Sequence, residues 1–213
     1  NDAAKLCLDF PLGVHPHGYD TWRNQDCFVP DVTVGAPPDA VFTAGQDWGS
    51  PPLHPERIWE QGYRYLIACL RHHMRSASLL RIDHVMGLHR LFWIPRGMEP
   101  EQGVYVRYPT DDLYAIIALE SHRSETIVEG EDLGTVPPYV RPAMKRRGLY
   151  RSYVLQYELS SDSVKGARTV PSRSVASVNT HDMPPFAAYW QGLDIEQRME
   201  LGLLDRAASR YES

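Results

Sequence analysis

Ser78-Leu-Leu-Arg-Ile-Asp-His84 is the stretch on which the fold turns: an apolar run that carries an arginine and an aspartate, two residues apart, to a strand end. In a β-strand residues i and i+2 project to the same face, so Arg81 and Asp83 stand side by side. A guanidinium in that place favours the ionised carboxylate, lowering its pKa by roughly 1–3 units, and suits a nucleophile or a binding anion. A structural ion pair accounts for these seven residues equally well, because structural pairs perturb pKa values too.

Upstream of the strand, Trp59, Tyr63, Leu66, Ile67, Leu70 and Met74 recur at spacings of three and four and predict one amphipathic helix after Pro55. Trp59, on that face, reads as core. Further upstream, Leu6-Cys-Leu-Asp-Phe10 is a short apolar run ended by Pro11, consistent with a buried parallel strand finishing near Asp9. Between Pro11 and Pro55 the residues are rich in Pro, Gly, Asp and His and show no sustained period, which predicts a long functional loop.

Downstream, Thr110 with Asp111 and Asp112 reads as a helix N-cap with acids in the first turn. Strands follow at Thr126–Gly130, Tyr153–Tyr157 and Ser174–Asn179, with a helix through about Arg147 between the first two. Asp194 and Gln197 suggest a capping box for a last helix. Strands alternating with helices imply parallel βαβ units.

The 213 residues are 43% apolar and 23% charged, enough for a sizeable core. A net charge of -5 with mixed signs offers no basic patch, which speaks against nucleic acid as a partner. No apolar run approaches the roughly 18 residues of a membrane span, and no signal-peptide pattern opens the chain. Cys7, Cys27 and Cys69, odd in number and without metal spacing, point to reduced thiols in a cytoplasmic protein. His15 and His17 lack a third ligand at sensible spacing, so neither a metal nor any cofactor is expected.

The polar residues share a habit: Asp9, Arg81 with Asp83, Glu131 with Asp132, and His181 with Asp182 finish or directly follow apolar runs. In a (β/α)8 barrel the C-terminal strand ends converge on one face, where separate strands pool their carboxylates. Glycoside chemistry needs such a pair, one carboxylate to attack and one protonated carboxyl to donate to the leaving oxygen. Proximity to Asp83 and Asp182 would raise Glu131 towards a general acid.

Leu80-Arg-Ile-Asp-His84 followed by Leu91-Phe-Trp-Ile-Pro95, then Glu129-Gly-Glu-Asp-Leu-Gly134 and Asn179-Thr-His-Asp182, resemble in order the signature segments of the 4-α-glucanotransferases, glycoside hydrolase family 77. Leu8-Asp-Phe-Pro-Leu-Gly13, Gly35-Ala-Pro-Pro-Asp39 and Gly45-Gln-Asp-Trp-Gly-Ser-Pro51 look like that family as well. Many members carry Ala where Gly130 stands, and long members match best at Val14–Trp22, which suggests an additional N-terminal region in a parent chain.

The resemblance implies that Asp83 is the nucleophile, Glu131 the acid/base and Asp182 the carboxylate that holds substrate hydroxyls in the transition state. It implies that Arg81 orients Asp83, that His181 bonds sugar hydroxyls, that Asp9 lies at the site floor, and that Asp39, Gln46 and Trp48 belong to a glucan-contacting loop. The implied activity is retaining transfer of α-1,4-glucan segments between maltodextrin donors and acceptors. The alternatives are an α-amylase-type hydrolase or isomerase, or a non-catalytic glucan-binding barrel. The expected fold is α/β, part of a (β/α)8 TIM barrel with about five of its eight strands and long active-site loops. On this reading residues 1–213 are a partial catalytic domain, and the missing strands lie in the remainder of a parent chain.

Overall fold

The computed structural model describes residues 5–39, 42–159 and 169–202. They fall into two compact units, Asn1–Arg151 and Ser152–Ser213. In chain order the strands are β1 (Cys7–Phe10), β2 (Val32–Ala36), β3 (Gln46–Asp47), β4 (Leu79–Ile82), β5 (Arg90–Pro95), β6 (Val104–Arg107), β7 (Ile127–Gly130), β8 (Tyr150–Val154) and β9 (Ser174–Ser177). The helices are α1 (Tyr19–Arg23), α2 (Pro55–Glu60), α3 (Arg64–Met74), α4 (Thr110–Ser124), α5 (Val140–Arg147), α6 (Leu155–Glu158), α7 (Phe186–Trp190) and α8 (Leu193–Glu200).

In the first unit β1, β4, β7 and the start of β8 pair side by side and parallel. Helix α3 precedes β4, while α4 and α5 cross from β4 to β7 and from β7 to β8. This is an arc of a (β/α)8 barrel. Leu80 and Val128 from the strands meet Leu70 and Met74 of α3, Tyr114 and Ile117 of α4, and Val140 and Met144 of α5 in one core. Leu80 has no exposed surface, and burying a side chain of that size stabilises the fold by about 1.5–3 kcal/mol. In the second unit Ser152–Val154 complete β8, and β9 stands next to it in the strand order.

The segment between Pro11 and Pro55 is not the structureless loop expected from its composition. It contains α1, β2 and β3, and β2 pairs antiparallel with β5 from the excursion after β4. The resulting sheet, in the order β3-β2-β5-β6, joins the excursions that leave the C-terminal ends of β1 and β4. Val34 and Phe28 from the first excursion pack with Leu91 and Tyr108 from the second.

The helix after Pro55 is two helices. Gly62 and Tyr63 both take left-handed φ, of 60° and 58°, and break the axis between α2 and α3. The break resets the buried face: Ile58 is enclosed and Trp59, expected in the core, is 62% exposed. Thr110 is the first helical residue rather than the cap, and its hydroxyl donates to the Tyr108 carbonyl. Asp194 forms no capping box, because α8 begins after Gly192 in a left-handed conformation. The strand expected at Tyr153–Tyr157 lies earlier, at Tyr150–Val154, and Leu155–Glu158 is helical.

Candidate active site

Asp9, Arg81 and Glu129 occupy one row across β1, β4 and β7, because Asp9 registers with Arg81 and Arg81 with Glu129. Asp83 and Glu131 each stand one residue past their strand, beyond the registered pair Ile82 and Gly130. Two parallel strands in register therefore end on carboxylates at the same level. The ladder continues past the strands, since Glu131 N–H donates to the Ile82 carbonyl at 2.9 Å and Val85 N–H donates to the Glu131 carbonyl at 3.0 Å.

Arg81 ties the first carboxylates together. Its Nη1 donates to Asp83 Oδ1 at 2.9 Å and to both oxygens of Asp9, at 2.8 and 2.9 Å. A charged donor at this distance gives shorter and stronger hydrogen bonds than a neutral one and holds the Asp83 carboxylate in place.

Glu131 is enclosed. Its Oε1 accepts from Leu133 N–H at 2.7 Å and its Oε2 from His84 N–H at 3.0 Å, so both carboxyl oxygens are held by main chain. Burial pushes its pKa up to about 7, and Asp83 adds to the rise, while Leu133, Arg81 and His84 oppose it. The expected rise is present and Asp83 contributes to it, but its main cause is the loss of water rather than like charge. A carboxyl group at about 7 carries a proton it can give and regain near neutral pH.

His84 was not singled out by sequence, although it closes the quoted stretch. It adopts φ 46° and ψ 62°, a left-handed conformation that turns its N–H towards Glu131. Burial holds its imidazole down at about 4, so the ring is neutral at physiological pH. The Trp48 indole packs edge-on against it at 5.2 Å, which brings the loop after β3 to the carboxylates. A left-handed residue at a strand end leaves no compositional signal when it is not glycine.

A cavity of about 320 Å³ opens beside Asp83 and His84, lined by Phe10, Leu12, Tyr65 and Leu88 among others. The larger groove, of about 580 Å³, contains none of the carboxylates that the sequence singled out. Asp39 and Gln46 flank the β2–β3 connection, where Asp39 Oδ1 accepts from Phe42 N–H at 2.6 Å and Gln46 registers with Ala36. His181 and Asp182 belong to the second unit, where His181 Nε2 lies 3.5 Å from Asp182 Oδ1 and both side chains are exposed. The first unit thus joins Asp9, Arg81, Asp83, Glu131 and Trp48. Among the described residues, no group of three or more His, Cys, Asp or Glu side chains could hold a metal ion.

A family model described as 4-alpha-glucanotransferase matches residues 1–212. The 4-alpha-glucanotransferase of Mycobacterium tuberculosis is 45% identical over 204 residues, covering 93% of this chain and 28% of that protein. The Haemophilus influenzae enzyme of the same name is 38% identical over 186 residues, covering 87% and 27%. The crystal structure of amylomaltase from Corynebacterium glutamicum superposes with a TM-score of 0.86 at 40% identity, over 93% of this chain and 29% of that one. Amylomaltase from Streptococcus agalactiae, solved in complex with acarbose, shares the fold with a TM-score of 0.77 at 20% identity, over 92% and 41%. The chain spans a little over a quarter of the length of the first two relatives.

Proposed function

Because this chain belongs to the 4-alpha-glucanotransferase family, we propose that it supplies the catalytic carboxylates of a retaining enzyme that moves α-1,4-glucan segments between maltodextrins. The observation that carries the reading is the pairing of two carboxyl groups with opposed environments. Asp83 lies against a guanidinium, and Glu131 is enclosed and lifted to about 7. Retaining glycoside chemistry uses one carboxylate to attack and one carboxyl to protonate.

Asp83 attacks the anomeric carbon of the donor as Glu131 gives its proton to the departing glycosidic oxygen, leaving a covalent glucosyl ester. Glu131, now ionised, takes the proton of an acceptor 4-hydroxyl, which displaces Asp83 and forms a new α-1,4 bond. Arg81 holds Asp83 and Asp9 in register throughout. Asp182 and His181 bond the hydroxyls of the reacting sugar, and Asp39, Gln46 and Trp48 contact the glucan from β3 and the connections on either side of it. The chemistry draws on carboxyl groups and protons alone. Transfer prevails over hydrolysis when sugar fills the acceptor sites and water is kept out.

The parent chain completes the barrel and is the partner without which the site does not close. The 4-alpha-glucanotransferases that are 45% and 38% identical to this chain support a glucan substrate. Three free thiols fit a cytoplasmic location. The test is product analysis of the parent protein on maltotriose. Disproportionation into shorter and longer glucans with a constant number of reducing ends is expected, whereas accumulating reducing ends would mark a hydrolase.

A further inference from the structure

Asp132 follows Glu131 and is a second carboxylate at the same strand end, so it is the first alternative for the acid/base role. Its side chain has no exposed surface at all. Its Oδ2 accepts from Arg141 Nε at 2.7 Å and from Arg151 Nε at 2.8 Å. Arg141 Nη2 also donates to the Asp132 main-chain carbonyl at 3.2 Å. A group closed off in this way cannot reach a glycosidic oxygen.

The two arginines come from different elements, Arg141 from the first turn of α5 and Arg151 from β8. They grip the residue between Glu131 and Leu133, and Leu133 N–H is one of the two donors that hold the Glu131 carboxyl. A shift at Asp132 therefore moves both the Glu131 main chain and the donor to Oε1. The clamp therefore acts on Glu131 through the main chain it holds on either side of Asp132.

We infer that Asp132, clamped by Arg141 and Arg151, is a positioning residue that fixes the Glu131 carboxyl for proton transfer. The inference rests on the transferase reading above. It makes the defect in a clamp variant depend on the leaving group. A glucan leaving group needs a proton from Glu131. Fluoride does not: when Asp83 attacks an α-maltosyl fluoride, the C1–F bond breaks, the ester forms and fluoride departs with the bonding pair unprotonated.

The experiment uses the complete parent protein as wild type, E131Q, D132N and R141K. Each is assayed for steady-state transfer from maltotriose and for the first-turnover burst of fluoride from α-maltosyl fluoride. Loss of the clamp in D132N should slow maltotriose transfer by about 100-fold, the usual consequence of displacing a reacting group by about 1 Å, and leave the burst near wild type. E131Q should show the same pattern with a larger loss. R141K keeps the charge but not the forked donor, and should show a smaller loss on maltotriose with an intact burst. Equal losses on both donors in D132N and R141K would overturn the inference, as would an unimpaired R141K if D132N fails to fold. A wild-type parent that does not transfer from maltotriose would instead overturn the functional reading itself.

Discussion

Replacing Glu131 by Gln removes a carboxyl group whose protonation is coupled to folding. Burial lifts this group from an ordinary 4.5 to about 7, so the native state binds its proton more tightly than the unfolded chain. The stabilisation is complete below about pH 4.5, fades as pH rises, and is gone above about pH 7. At about 1.36 kcal/mol per pKa unit, the native state loses about 3 kcal/mol across that window. Gln does not titrate, but its amide offers one acceptor oxygen where the carboxylate offered two. Leu133 N–H or His84 N–H then loses its partner, a cost of about 1–3 kcal/mol at every pH.

The net effect at any single pH thus mixes two opposing terms, whereas its change with pH isolates the titration. Urea unfolding of the parent protein, wild type against E131Q, at pH 4.5 and pH 8 measures it, and the comparison cancels the other titrating groups. Relative to wild type, the variant should gain about 3 kcal/mol between the two pH values. A difference that stays constant with pH would refute the claim that burial raises Glu131.

Gly130→Ala should destabilise the protein by about 1–3 kcal/mol in thermal or urea unfolding. A Cβ there would meet Val85 Cγ2 at 2.7 Å and Met144 Cε at 2.9 Å, and an unchanged stability would show that the pocket gives way freely. Trp48→Ala should weaken glucan binding, read as a raised KM for maltotriose, because it removes the indole packed against His84; a KM equal to wild type would remove Trp48 from the site. Residues 1–213 expressed alone should not disproportionate maltotriose, since an open arc of strands leaves edges exposed and the carboxylates loosely held. Activity matching that of the parent protein would reject the partial-barrel proposal.

The parts of the fold that the sequence disclosed are those set by local pattern. Leu79–Ile82 and Ile127–Gly130 are apolar runs ending on charge, and both strands lie within a residue of where the pattern puts them. What stayed hidden depends on distant partners. Val32–Ala36 has too short an alternation to announce a strand, and its partner β5 lies some sixty residues on. The break at Gly62 and Tyr63 is a backbone conformation, and the even spacing of apolar residues across it gives no sign of the change in buried face. In the site, the carboxylates and Arg81 were legible as strand-end residues. The His84 N–H and the Arg141–Asp132–Arg151 clamp were not, because main-chain donors and charge pairs between separate elements have no signature in residue type.

We propose that Asp83 forms the covalent bond to sugar and Glu131 moves the proton, a division of labour open to direct measurement. Its most direct measurement is intact-protein and peptide mass spectrometry of the E131Q parent incubated with α-maltotriosyl fluoride. Fluoride leaves without a proton, so the ester forms, and the missing base keeps the acceptor from discharging it. One maltotriosyl unit per protein is expected, mapped to the peptide that contains Asp83 and absent from an E131Q/D83N double variant. Sugar found on another residue, or retained when Asp83 is Asn, would contradict it.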